Sequence, residues 1–262
     1  DVLRKSGAAK VEKKAGRIAA EGITRVASEG NTAVVVEVNS ETDFVAKNAV
    51  FQEFVQDVAD KALKSSVDKA GDGEDVCGIL DMKAELEEKT IVIGEKLSLR
   101  RFEKLTGDCV ASYVHGGGRI GVLVAAKGAS GDAVKEALTN IAMQIAAMNP
   151  LYLDEASVPA EVIAHEKEIL AVQIKEDPKM ASKPEKVIEG IISGKIKKYY
   201  KENCLVDQEF VKNGDFTVGS YIASVAKEIG ASITPVKFIR YAKGEGLQKR
   251  EDNFADEVAS MM

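Results

Sequence analysis

The residues from Glu37 to Lys47 read EVNSETDFVAK and place an acid and an aromatic side chain where an apolar strand gives way to a helix. Thr42 is of a type that caps helices, by accepting from a backbone N–H of the first turn. Asp43 in that turn would complement the positive helix end. Capping, together with a core place for Phe44, explains the segment as scaffold alone. The residues by themselves leave that account level with a functional one.

Other candidate chemistry dissolves on inspection of its context. Gly116, Gly118 and Gly121 fit the spacing G-x-G-x-x-G. A dinucleotide site needs a helix after those glycines, so that phosphate meets the helix N-terminus. Here Gly121 to Ala126 read as strand, and the glycines suit a hairpin turn that needs positive φ. Gly194-Lys195 resembles the end of a phosphate-loop motif, but Ile196 follows and position 189 is Glu. His165 reads as a helix-face residue. His115 stands at the hairpin turn near Tyr113 with no local nucleophile or acid, so it reads as a contact residue. Cys77, Cys109 and Cys204 fit no zinc spacing, and an odd, sparse set suits a reducing compartment. No pair of acids has metal-site or acid–base context. No catalytic residue, metal ligand or cofactor is expected, and the chain reads as a binding protein rather than an enzyme.

Composition narrows the partners. The chain has 262 residues, 45% of them apolar and none of them Trp, with a net charge of −6. It can bury an ordinary core built from Val, Ile, Leu and Ala, in one to three domains. Mild acidity argues against a general nucleic-acid binder, which needs a basic face for phosphates. The cluster Lys195, Lys197, Lys198 and Lys201 reads as a solvated helix face. No run of 18 apolar residues occurs to span a membrane.

An internal repeat must position the tip. Ile23 to Val26 lead through a turn at Glu29-Gly30-Asn31 into the strand Ala33 to Val38. A helix from about Asp43 to Leu63, a Gly/Asp-rich loop, a charged helical stretch and the strand Leu97 to Phe102 complete the unit. In the second copy, Val110 to Val114 and Ile120 to Ala126 flank the glycine turn. A helix from about Asp132 to Met148 follows, and Val236 to Tyr241 return as strand, where Arg240-Tyr241 echoes Arg101-Phe102. Sheets with one covered face satisfy this pattern. Between them, Ser157 looks like the cap of a helix through Asp177, and a second helix runs from Pro184 to Asn203, making an αα-hairpin. A last short helix is expected from Asn253 to Met262. The expected organisation is α+β: helix and linker over 1–22, a first subdomain over 23–106, and a second over 107–150 and 206–246. A helical-hairpin arm occupies 151–205 and a C-terminal helical module 247–262.

The segment EVNSETDFVAK resembles the signature of the elongation factor Ts family, exchange factors for elongation factor Tu. Ile93-Gly94-Glu95, Ser112-Tyr113-Val114-His115, the run from Arg119 to Gly128, Ile239-Arg240-Tyr241 and Gly244-Glu245-Gly246 extend the likeness over essentially the whole chain. The resemblance implies a guanine nucleotide exchange factor with elongation factor Tu as protein partner, no direct nucleic acid and no membrane. It places the chain in the cytoplasm, or alternatively an organelle matrix, and implies a homodimer through the arm. It also implies that Asp43 and Phe44, flanked by Thr42 and Val45, enter the GTPase beside its switch region, with Phe44 wedged between two helices and Asp43 near the Mg²⁺ site. Ile93 and Gly94 match a nearby contact loop, and His115 a residue facing the partner's distal β-domain. The family usually begins with a small helical module, of which Asp1 to Gly22 resembles only the helix and linker leaving it. The alternative is a binding or assembly subunit that keeps the surface without exchange.

Overall fold

The computed structural model describes residues 11–248. After a short helical stretch over 11–14, the chain runs β1 (Glu21–Glu29), β2 (Thr32–Ser40), α1 (Asp43–Ala46), α2 (Ala49–Lys64), β3 (Lys69–Ala70), α3 (Val76–Ile79), α4 (Lys83–Ile93) and β4 (Ser98–Thr106). It continues as β5 (Cys109–His115), β6 (Ile120–Lys127), α5 (Asp132–Met148), an arm of α6 (Ala160–Glu176), α7 (Pro178–Ala181) and α8 (Glu185–Asn203), then α9 (Val218–Ile229) and β7 (Thr234–Ala242). The strands form two antiparallel sheets, ordered β1-β2-β4-β3 and β5-β6-β7. Each repeat is therefore a hairpin, a covering helix and a strand that returns beside the hairpin's second strand, an α+β arrangement.

Side-chain alternation explains how the sheets stack. Val34, Val36 and Val38 of β2 point to α2 and pack with Phe51, Phe54 and Phe102. Val122, Val124 and Ala126 of β6 point to α5 and α9 and pack with Leu138, Ile141 and Ile222. The residues between them face the other way: Ala33, Val35 and Leu105 meet Leu123, Ala125, Ile239 and Tyr241 in a third cluster. The layers are thus helix, sheet, sheet, helix. The expectation of one covered face per sheet is corrected for the central strands β2 and β6, which are covered on both. That is why they read as nearly continuous apolar runs, broken in β2 by Glu37.

Two helix boundaries differ from expectation, and one helix is additional. The helix from Asp43 breaks after Ala46, because the Asn48 side chain accepts from the Val50 N–H at 2.8 Å and starts α2 afresh. Ser157 is not the cap of α6: it closes a 3-10 turn capped by Asp154, and α6 begins after Pro159. Helix α9 was not anticipated, although Thr217 and Ser220 form a capping box at its start. The arm's base is pinned where 151–153 run beside 203–206, with the Asn203 carbonyl accepting from both the Leu151 and Tyr152 N–H groups. Beyond it α6 and α8 pack chiefly on one another, burying Ile174 and Ile196. No described helix is long and apolar enough to cross a membrane. The helix expected over 253–262 lies outside the described residues.

Candidate partner-binding site

The end of β2 is held before the tip begins. Asn39 donates from Nδ2 to the Glu21 carbonyl at 2.9 Å, and Ser40 Oγ donates to the Thr42 carbonyl at 2.9 Å. Two carboxylates then cross between this segment and the loop leaving α4. Glu41 Oε1 accepts from the Lys96 N–H at 2.6 Å. Glu95 accepts twice from Thr42, at 3.0 Å from its N–H and 2.6 Å from its hydroxyl. The sequence reading of Thr42 as a helix cap is corrected here: its hydroxyl makes no cap bond and is committed to Glu95.

On this base sits α1, a single turn. Val45 is its inward anchor, buried against the core of the first sheet. Phe44 points out and is 78% exposed, while Phe51, near the start of the next helix, is fully buried. Asp43 is exposed beside it. Two similar rings so close in sequence differ completely in burial, so hydrophobicity does not dictate where Phe44 goes. Burying a ring of this size from water is worth about 1.5–3 kcal/mol, and here that gain is left unused.

Ile93 and Gly94 end α4 directly before the brace. Ile93 packs partly against the core, and Gly94 adopts φ 85° as the left-handed cap, its N–H donating to the Thr90 carbonyl at 3.1 Å. Its Cβ side is open space. Val92, one residue earlier, is 64% exposed. The crossed carboxylates therefore tie Thr42, at the root of the tip, to the loop that directly follows Ile93 and Gly94.

His115 belongs to the other sheet. It is exposed at the end of β5, and its Nδ1 lies 3.2 Å from the Tyr113 hydroxyl. The turn after it has positive φ at Gly116, Gly117 and Gly118, as a hairpin needs. It docks on β1, where Thr24 donates from its N–H at 2.7 Å and its hydroxyl at 3.1 Å to the Gly118 carbonyl. An open cleft results, with Asp43, Lys47 and Gln52 on one wall and Gly116, Gly117 and Arg119 on the other. The predicted residues thus form one tip plus one neighbouring hairpin; among the described residues, His115 makes no hydrogen bond to the tip.

A family model described as "Elongation factor TS" matches residues 41–245. This chain belongs to the elongation factor Ts family. Proteins named elongation factor Ts are similar along its whole length: 46% identical in Clostridioides difficile strain 630, 44% in Clostridium botulinum strain ATCC 19397 / Type A and 43% in Clostridium novyi strain NT. In each case all of this chain aligns with 87% of the relative.

Away from the tip, Glu37 of the elongation factor Ts signature EVNSETDFVAK meets Gly244 of the Gly244-Glu245-Gly246 motif and two arginines of β4. Its carboxylate is 1% exposed and accepts from Arg100 at 3.1 Å, Arg101 at 2.6 Å, Asn39 at 3.0 Å and the Gly244 N–H at 2.7 Å. Sequence reasoning missed this joint and both bracing acids. An acid between Val36 and Val38 in a buried strand was the available signal, because a charge there must find partners. Glu95 stood in the Ile93-Gly94-Glu95 motif, but only the fold shows that it faces Thr42.

Proposed function

We propose that this chain is a guanine nucleotide exchange factor that binds elongation factor Tu, disturbs its Mg²⁺ and phosphate site and promotes GDP release during translation elongation. The observation that carries the reading is Phe44, exposed on a turn that is anchored below by Val45 and braced at the side by Glu95. Such a ring is a ready interface anchor, and seating it between two helices of the GTPase would recover the apolar burial it forgoes alone.

In this reading Asp43 acts beside the partner's Mg²⁺ site, Ile93 and Gly94 widen the contact around Phe44, and His115 meets the partner's distal domain. Nothing in this chain makes or breaks a bond. A factor that prefers the nucleotide-free GTPase must weaken nucleotide by the same coupling free energy, because linkage is reciprocal. The arm over 151–205 is assigned to dimerisation, which light scattering at micromolar concentration checks; a strict monomer counts against it.

The test of function is release of labelled GDP from elongation factor Tu. Acceleration by the full chain supports exchange. Binding without acceleration would leave an assembly subunit instead.

A further inference from the structure

We infer that Glu95 is a positioning residue for exchange: its carboxylate holds Thr42, and through Thr42 it sets the pose in which Phe44 is presented. The inference rests on the exchange reading above. Thr42 has the extended backbone of a helix-capping position, φ −126° and ψ 158°, yet its side chain makes no cap bond. Both of its donors go to Glu95 instead, at 3.0 and 2.6 Å. Among the described residues, no other side chain accepts from either donor. α1 is only one turn long, so it has too few internal hydrogen bonds to hold its own entry angle. Val45 fixes its depth, and Ser40 Oγ and Gln52 Nε2 hold the Thr42 and Ala46 carbonyls at its two ends. The Thr42–Glu95 pair ties its entry to the α4 exit.

Glu41 completes the device from the opposite side. It takes the Lys96 N–H, while Lys96 Nζ donates to the Ala15 and Arg17 carbonyls at 2.6 and 2.8 Å. The tip, the α4 exit and the segment entering β1 are therefore cross-tied. Without Glu95 the tip would populate other poses, and a partner that accepts one pose would meet it less often. That lowers apparent affinity by the fraction of competent molecules and leaves the saturated rate intact.

The experiment is GDP release from elongation factor Tu, titrated with the full chain carrying Glu95→Ala, Phe44→Ala or both. Glu95→Ala is expected to raise the half-saturating concentration about tenfold, the scale of losing charge-assisted hydrogen bonds, with a near-normal saturated rate. In the Phe44→Ala background it should add less than about twofold, since there is no ring left to aim. Glu95→Gln, which keeps one acceptor oxygen, should fall between. Multiplying effects in the double variant, or a loss confined to the saturated rate, would overturn the inference. If the unmodified chain itself fails to speed release, the exchange reading falls. The brace is then judged by amide hydrogen exchange: Glu95→Ala must speed exchange at the Thr42 N–H with β2 unchanged, and unaltered protection there sinks it.

Discussion

The guanidinium carbon of Arg101 lies 4.0 Å from the centroid of the Tyr241 ring, so a cation of the first sheet stacks on an aromatic of the second. The echo between Arg101-Phe102 and Arg240-Tyr241 is thus a contact across the repeat as well as a likeness within it. Arg101 also donates to buried Glu37, which in turn receives the Gly244 N–H from the turn after β7. Replacing Glu37 by Gln would remove the one buried carboxylate that Arg100 and Arg101 share, leaving them only the exposed partners Asp72 and Glu245. Breaking a buried pair this way costs about 3–5 kcal/mol. Urea unfolding should show a loss of that size; one below about 1 kcal/mol would mean that solvent reaches the joint.

Phe44→Ala should leave the fold alone and cripple exchange. The ring makes almost no burial in the free chain, so the thermal midpoint should stay put. GDP release should slow roughly ten- to hundredfold, the equivalent of losing a buried aromatic anchor. A lowered midpoint would reveal that the ring has a structural job, and near-normal release would remove it from the interface.

Gly118 is demanded by two constraints at once. Its φ is +102°, and an added Cβ would lie 2.7 Å from Ile23 Cβ and 2.9 Å from the Thr24 carbonyl oxygen. Gly118→Ala should destabilise by about 2 kcal/mol or more and displace the hairpin that carries His115. Calorimetry and the chemical shifts of His115 would register both effects; an unchanged midpoint contradicts the contact.

Acid should loosen the sheet–sheet contact through Glu103. Burial pushes this carboxyl upward, but Lys237 at 2.7 Å and Lys69 at 3.0 Å outweigh it and hold it below its ordinary value of 4.5. A depressed carboxyl stabilises above the unfolded value, and the contribution drains away as pH falls through the folded one. Stability of Glu103→Gln should therefore approach that of the unmodified chain as pH drops from about 5 toward 3. A gap that stays constant with pH would show that these ion pairs add nothing that titrates.

The cysteines should react in order of burial. Cys204 is fully buried, and burial pushes its thiol up to about 11; burial also raises Cys109. Cys77 is half-buried, and burial and then Asp75 raise it as well. At about pH 8 a thiol reagent should label Cys77 alone in the native chain, slowly, and all three after denaturation. Rapid native labelling of Cys204 would contradict its place beneath the arm's base.

Much of the tip was legible residue by residue, but not its posture. Asp43 and Phe44 stood out as an acid and a ring following a strand end. Whether the ring belonged to the core depended on which side of one helical turn faced the sheet, and it is Val45 that faces it. Thr42 misled for a physical reason: the same hydroxyl that caps helices also binds a carboxylate, and proximity to Glu95 chose between them.

The amino-acid order by itself determined the elements and the repeat. Period-two strands, glycine turns, Asn and Thr caps and apolar helix stripes are short-range preferences, each set by neighbours a few residues away. Only the tertiary structure decided that the two sheets meet face to face, that Glu37 neutralises arginines at their joint and that Glu95 holds Thr42. Those pairings join residues 53 to 207 positions apart along the chain. Local preference carries no information across such distances; burial of apolar area and the cost of an unpaired inner charge select them only once the chain has closed on itself.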